Sequence, residues 1–344
     1  MAYINDISIQ ISLATLALTE KSFDPLILGM NAVGKSEKIY TNAQTILTDM
    51  ISDGFLITDP EYLMAAALMS QDVQPETVKV LRCPSSGTYV EALAELRGTD
   101  DAFYGVMIDS RTVADLQAVG DWAESNYKLF VGCCDDLSVL TDRNGTREAY
   151  LLHTTPEDYP ECAWVGKCLP KQPGSVDWKW KVLTGQNAAE FGSTDLSTIR
   201  TNHGQTIQEQ DGVSFTNEGI TTSGTFIDTI IGRDWVQNQM EIELLALLLK
   251  NDKISLDDTG IAQIESVVRG VLKRAGDAGI VARAVSDEDL LLSDDKKYMF
   301  QVTVPKRADL SSNDRASRAL TGVKWVYYEA GGIHTLSITG LITA

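Results

Sequence analysis

The chain has 344 residues, is 44% hydrophobic and 22% charged, and carries 48 acidic against 29 basic side chains for a net charge of −19. That length points to two domains, and the balanced composition is that of a folded protein, not a disordered one. The acidic excess repels a phosphate backbone and argues against direct nucleic-acid binding, while no apolar run approaches the roughly 20 residues of a membrane span.

Residues 1–6 lack the basic and apolar blocks of a secretory leader, so folding in a cytoplasm is expected. Residues 7–13 alternate, with Ile7, Ile9, Ile11 and Leu13 on one face and Ser8, Gln10 and Ser12 on the other, which predicts a half-buried strand. From 25 to 182, apolar runs at 26–28, 78–81, 103–108, 129–134 and 149–152 suit buried strands. Helical periodicity at 41–51, 60–69, 89–96, 112–125 and 157–168 separates them. This alternation predicts an α/β domain, a mainly parallel sheet covered by helices on both faces. Trp178, Lys179, Trp180 and Lys181 read as an amphipathic strand.

After Gly185 the pattern changes to an α+β region that begins with loops and short strands. Asp234 is placed to cap a helix running to Lys250, and the wholly apolar Leu244–Leu249 stretch predicts a buried end. Asp257 or Asp258 precedes an amphipathic helix that closes at Gly276–Gly279. A strand at 298–304, a helix at 312–320 and a strand at 323–328 follow. Gly331 and Gly332 then separate a last alternating segment, 334–344, in which Leu336 and Ile338 share a face before Leu341. The expected organisation is an N-terminal arm 1–22, an α/β domain 23–184, an α+β inner domain 185–332 and a C-terminal strand arm 333–344.

Residues 29–36 match the phosphate-cradling pattern GxxxxGK[ST] after a predicted strand, with Gly29, Gly34, Lys35 and Ser36 at the defining positions and Asp109 available for magnesium. Against a nucleotide site, residues 37–40 read equally well as extended chain, which would leave the loop without its helix N-terminus. Asp135 and Asp136 stand at another predicted strand end, where loop caps are commoner than catalysts. Cys133 or Cys134 with His153 lacks any local nucleophile pattern, and Cys83, Cys162 and Cys168 complete a set of five expected to be reduced, mostly buried thiols. The scattered His153, His203 and His334 argue against a metal site.

Several stretches together resemble the contractile tail sheath proteins of bacteriophages. They are 163–166, 173–175 with 178–185, 224–228 with 232–235, 258–261, 303–305, 314–315 with 320–322, and 332–334. The resemblance implies a self-assembling structural subunit of the virion tail, built in the host cytoplasm, with no enzymatic activity and no cofactor. It implies stacked hexameric rings around a tail tube protein, contacts with baseplate and tail terminator proteins, and contraction that drives the tube through the host envelope. It also implies terminal arms that add strands to neighbouring copies, for which Ile7, Ile9, Ile11, Leu13, Leu336, Ile338 and Leu341 are the candidates and Gly331–Gly332 a candidate hinge. The rival readings are a P-loop NTPase and a non-contractile tail tube or baseplate protein.

Overall fold

The structure, a computed structural model, describes residues 23–337. The expected N-terminal strand and the end of the C-terminal one, including Ile7, Ile9, Ile11, Leu13, Ile338 and Leu341, lie outside the described residues.

The first half builds a six-stranded sheet from β1 (Pro25–Asn31), β2 (Lys35–Tyr40), β3 (Val78–Pro84), β4 (Gly105–Ile108), β5 (Leu129–Cys134) and β6 (Glu148–Leu152), in the order β2-β3-β1-β4-β5-β6. Every pairing is parallel except β2 with β3. Alternate residues of one strand feed two cores, as Ile27 enters one and Leu26 and Leu28 the other. Helices α1 (Ile46–Ser52), α2 (Pro60–Met69) and α5 (Pro160–Cys168) cover the first face, and α3 (Tyr89–Arg97) and α4 (Val113–Asn126) the second. Helices on both faces explain why the inner strands read as unbroken apolar runs.

After α5, residues 169–226 run over the outer end of the sheet. They carry α6 (Ser193–Thr201) and the hairpin β7 (Ile207–Gln210) and β8 (Val213–Thr216). Gln205 exchanges backbone bonds with Tyr150 and Leu152, and Thr222 donates to the Glu148 carbonyl, so the β6 edge is covered. Trp178 is fully buried but not in a strand. Its carbonyl accepts from Trp164 Nε1 at 3.0 Å and the rings meet edge to face, so side-chain burial dictates an irregular backbone at 178–181.

The remainder is a pair of long helices, α7 (Ile227–Lys250) and α8 (Asp258–Ala278), followed by α9 (Asp287–Leu291), β9 (Phe300–Thr303), α10 (Ser312–Ser317) and β10 (Lys324–Tyr327). The Asp257 side chain caps α8. Two sequence expectations fail on α7. It starts seven residues before Asp234, whose carboxylate is held by the Arg147 guanidinium at 2.6 and 2.8 Å instead of capping. Its apolar end is not buried either, for Leu245, Leu248 and Leu249 are 45%, 54% and 51% exposed. The first helix is also shorter than its periodicity suggests, starting at Ile46. A third core joins Val236 and Met240 of α7 to Val268, Val271 and Leu272 of α8 and to Phe300 and Val302 of β9. Among the described residues, no helix is long and apolar enough to cross a membrane.

Candidate assembly surfaces

The residues of the phosphate-loop pattern do not form a cradle. Gly29 lies inside β1, and Lys35 and Ser36 lie on β2, an antiparallel strand where a phosphate loop requires a helix. Gly29 is dictated by packing, since a Cβ there would stand 2.1 Å from Glu61 Oε1. That carboxylate takes two bonds from Arg82 of β3, at 2.6 and 2.7 Å. Lys35 Nζ donates to the Asp53 carbonyl and stands over the Phe55 ring. Asp109 accepts from the Tyr89 hydroxyl at 2.6 Å and the Met30 N–H at 3.2 Å, and burial raises its pKa despite those bonds.

The strand ends nearby are equally occupied. Arg111 reaches the fully buried Glu161 at 2.9 Å and the Cys133 carbonyl at 3.2 Å, with its guanidinium over the Tyr159 ring. Burial keeps the Cys133 and Cys162 thiols well above their usual range and pushes Cys134 up to about 12, so none is a ready thiolate. His153 is committed at both ring nitrogens, with Nε2 on the Asn187 carbonyl and Nδ1 accepting from the Thr155 N–H. Asp136 caps the short helical turn at 137–140. All five cysteines are free and buried. Among the described residues, no group of three or more His, Cys, Asp or Glu is placed to hold a metal.

What the surface does present is sheet edges, and they differ. The β2 edge carries Lys35, Glu37 and Lys38 and a register shift between Lys35 and Lys38, both of which discourage pairing. A second edge, that of β10, is open among the described residues. Tyr328 N–H donates to the Met299 carbonyl, so alternation turns the backbone of Val326 toward β9 and those of Trp325 and Tyr327 outward. Among the described residues nothing pairs with that outer edge. Trp325 and Val326 are 40% and 47% exposed, and the Trp325 and Tyr327 rings stack at 5.8 Å.

Just beyond β10 the chain is fastened. Ala330 N–H donates to the Ile280 carbonyl, and Glu329 accepts from Thr229 Oγ1 at 2.9 Å. His334 Nε2 lies 2.9 Å from Asp177 Oδ2, and its ring packs on Phe226 at 4.6 Å. Burial raises the pKa of the adjacent Asp228, with the Asp177 charge adding to the effect. Gly332 makes a close approach, since a Cβ there would meet Asp177 Oδ2 at 2.6 Å, whereas Gly331 faces open space. Residues 333–337 are not in a strand, and Leu336 is 75% exposed. The anchor escapes sequence reasoning because Asp177, Phe226 and His334 are far apart in the chain.

This fold is shared with chains of contractile assemblies. A chain of the anti-feeding prophage baseplate superposes with a TM-score of 0.67 at 9% identity, covering 100% of both chains. A chain of the extracellular contractile injection system PVC sheath complex, in the contracted state, gives 0.69 at 7% identity over 99% of this chain and 98% of that one. A sheath tail protein from Listeria innocua gives 0.52 at 11% identity over 83% and 89%. Among curated proteins none matches in sequence. In sequence, residues 227–341 match the family described as E217 tail sheath protein gp31-like, C-terminal domain. The resemblance to tail sheath proteins is thereby borne out, together with the α/β plus α+β fold.

Proposed function

We propose that this chain is the structural subunit of a contractile tail sheath, polymerising in stacked hexameric rings around a tail tube and joined at the tail ends by baseplate and terminator proteins. The observation that carries the reading is the open β10 edge, apolar and uncharged at Trp325 and Val326, in the part of the chain that matches the sheath family. Terminal segments with the alternation of Ile7, Ile9, Ile11 and Leu13, or of Leu336 and Ile338 followed by Leu341, suit such an edge. Strand addition satisfies the outward N–H and C=O groups and covers the rings. Assembly in a host cytoplasm and residence in the virion tail follow from that role.

The work is mechanical, with lattice packing as the source of energy and no chemistry at Gly29–Ser36. The domains 23–184 and 185–332 move as a unit, and the arms bend. The His334 anchor supports a bend after residue 334, with Gly331 next to it able to follow and Gly332 confined by Asp177. Deleting residues 1–13, or residues 335–344, leaves a folded monomer that builds no tubes in electron microscopy, while the full chain builds striated tubes. Normal tubes from either truncation would overturn the reading.

A further inference from the structure

The described chain begins beside the part of α7 that leads along one face to its exposed end. Phe23 packs on Tyr104 at 4.7 Å, and both line a cleft of about 210 Å³ together with Asp234, Gln237 and Asn238. Seven residues turn a helix through about 700°, so Leu245 stands on the face of Asn238, two turns on, and Glu241 and Leu248 complete the row. This row is polar at Asp234, Asn238 and Glu241 and apolar at Leu245 and Leu248, with Leu249 beside it. The sequence leading back from Phe23 has the same order. Ser22, Lys21, Glu20 and Thr19 are polar, then Leu18, Ala17, Leu16 and Ala14 are apolar apart from Thr15.

The lengths agree as well. From Asp234 to Leu248 the helix rises about 21 Å at 1.5 Å per residue, and ten residues reach at most about 33 Å when extended. A segment leaving Phe23 antiparallel to α7 therefore brings its leucines to the exposed leucines and its polar residues to the polar end.

We propose that residues 14–22 dock along this stripe of α7 in their own subunit, covering Leu245, Leu248 and Leu249 and setting the point from which residues 1–13 depart. The proposal is independent of what those last residues pair with. It explains why this apolar helix end, tied to α8 through Glu243 and Arg274, leaves Leu245, Leu248 and Leu249 exposed.

The test is cysteine crosslinking in the full-length chain, pairing Leu18→Cys with Leu245→Cys and, separately, Leu16→Cys with Leu248→Cys. The five native cysteines are buried and do not compete. The expected result is an intramolecular disulfide in at least one pair, formed at high dilution as well as at assembly concentration. Crosslinks that join only different chains, or none from either pair, overturn it. Trypsin gives a second measurement, since Lys21 is the sole basic residue before Phe23. Leu245→Asp with Leu248→Asp should speed cleavage after Lys21 at least tenfold without lowering the melting temperature. An unchanged rate counts against docking.

Discussion

A methyl group at position 29 and the Glu61 carboxylate would claim the same space, which makes Gly29 a packing requirement for the ion pair between Glu61 and Arg82. Gly29→Ala displaces Glu61 and leaves the Arg82 guanidinium, nearly buried at 7% exposure, with Asp59 as its remaining counter-charge. Breaking such a pair costs about 3–5 kcal/mol, so urea unfolding should show a loss of about 3 kcal/mol. Lys35→Ala, which removes one bond to a carbonyl and a ring contact, should cost about 1 kcal/mol. Magnesium-ATP should shift the melting temperature of neither variant nor the parent, and a shift abolished by Lys35→Ala would restore the nucleotide reading. Asp109 makes a second residue-scale prediction. Burial is the main cause of its raised pKa, so the folded chain holds this proton longer than the unfolded chain does. Its contribution is therefore best below the ordinary value near 3.8 and declines as pH rises through that value toward the folded one. Asp109→Asn keeps an acceptor for Met30 and a donor for the Tyr89 oxygen, so it should gain stability relative to the parent between pH 4 and pH 7. A difference that is equal at both pH values would show that ionisation of Asp109 does not limit stability.

At the scale of elements, the parallel strands and the helices α2, α3 and α4 were legible because each repeats a short local pattern, apolar runs in the strands and apolar residues at helical spacing in the helices. The start of α7 was not, because its first turns carry Ile227, Ile230 and Ile231 into packing that only the fold supplies, and Asp234 mimics a cap while serving an ion pair. Leu244–Leu249 misled for the complementary reason: composition records apolarity and not what covers it. Of the proposed assembly site, the terminal alternation was visible in sequence, but the receiving edge was not, since openness belongs to topology. That edge is directly testable. The outward N–H of Trp325 is available for a guest strand and unused by β9, so Trp325→Pro removes a donor that the monomer does not need. It should leave circular dichroism and monomer solubility unchanged, lower the melting temperature by a few degrees through loss of the stacked ring, and abolish tubes. Trp325→Ala, which loses the ring and keeps the donor, should still polymerise, though less readily. Tubes from the proline variant would mean that nothing pairs with this edge.

Over the whole molecule, α7 is the shared element. Its first turns deliver Ile227 and Ile231 to the core against the six-stranded sheet, and the next deliver Val236 and Met240 to the core against α8. Between them Asp234 receives both Arg147 nitrogens and the Tyr104 hydroxyl, at 2.6–2.8 Å, with Arg147 only 4% exposed. A continuous helix with a bidentate pair at its crossing point resists bending there, because bending would separate charges already withdrawn from water. The parent should therefore unfold in one calorimetric transition. Asp234→Ala leaves the Arg147 charge buried without its counter-charge, at a cost of about 3–5 kcal/mol concentrated at the junction. Two transitions should then appear, the lower one belonging to the part beyond residue 234, which has the smaller core. A single transition shifted downward would mean that packing alone couples the halves. A body that does not bend at this junction suits the proposed sheath role, since displacement imposed at one proposed strand contact would reach the next instead of being absorbed inside the subunit.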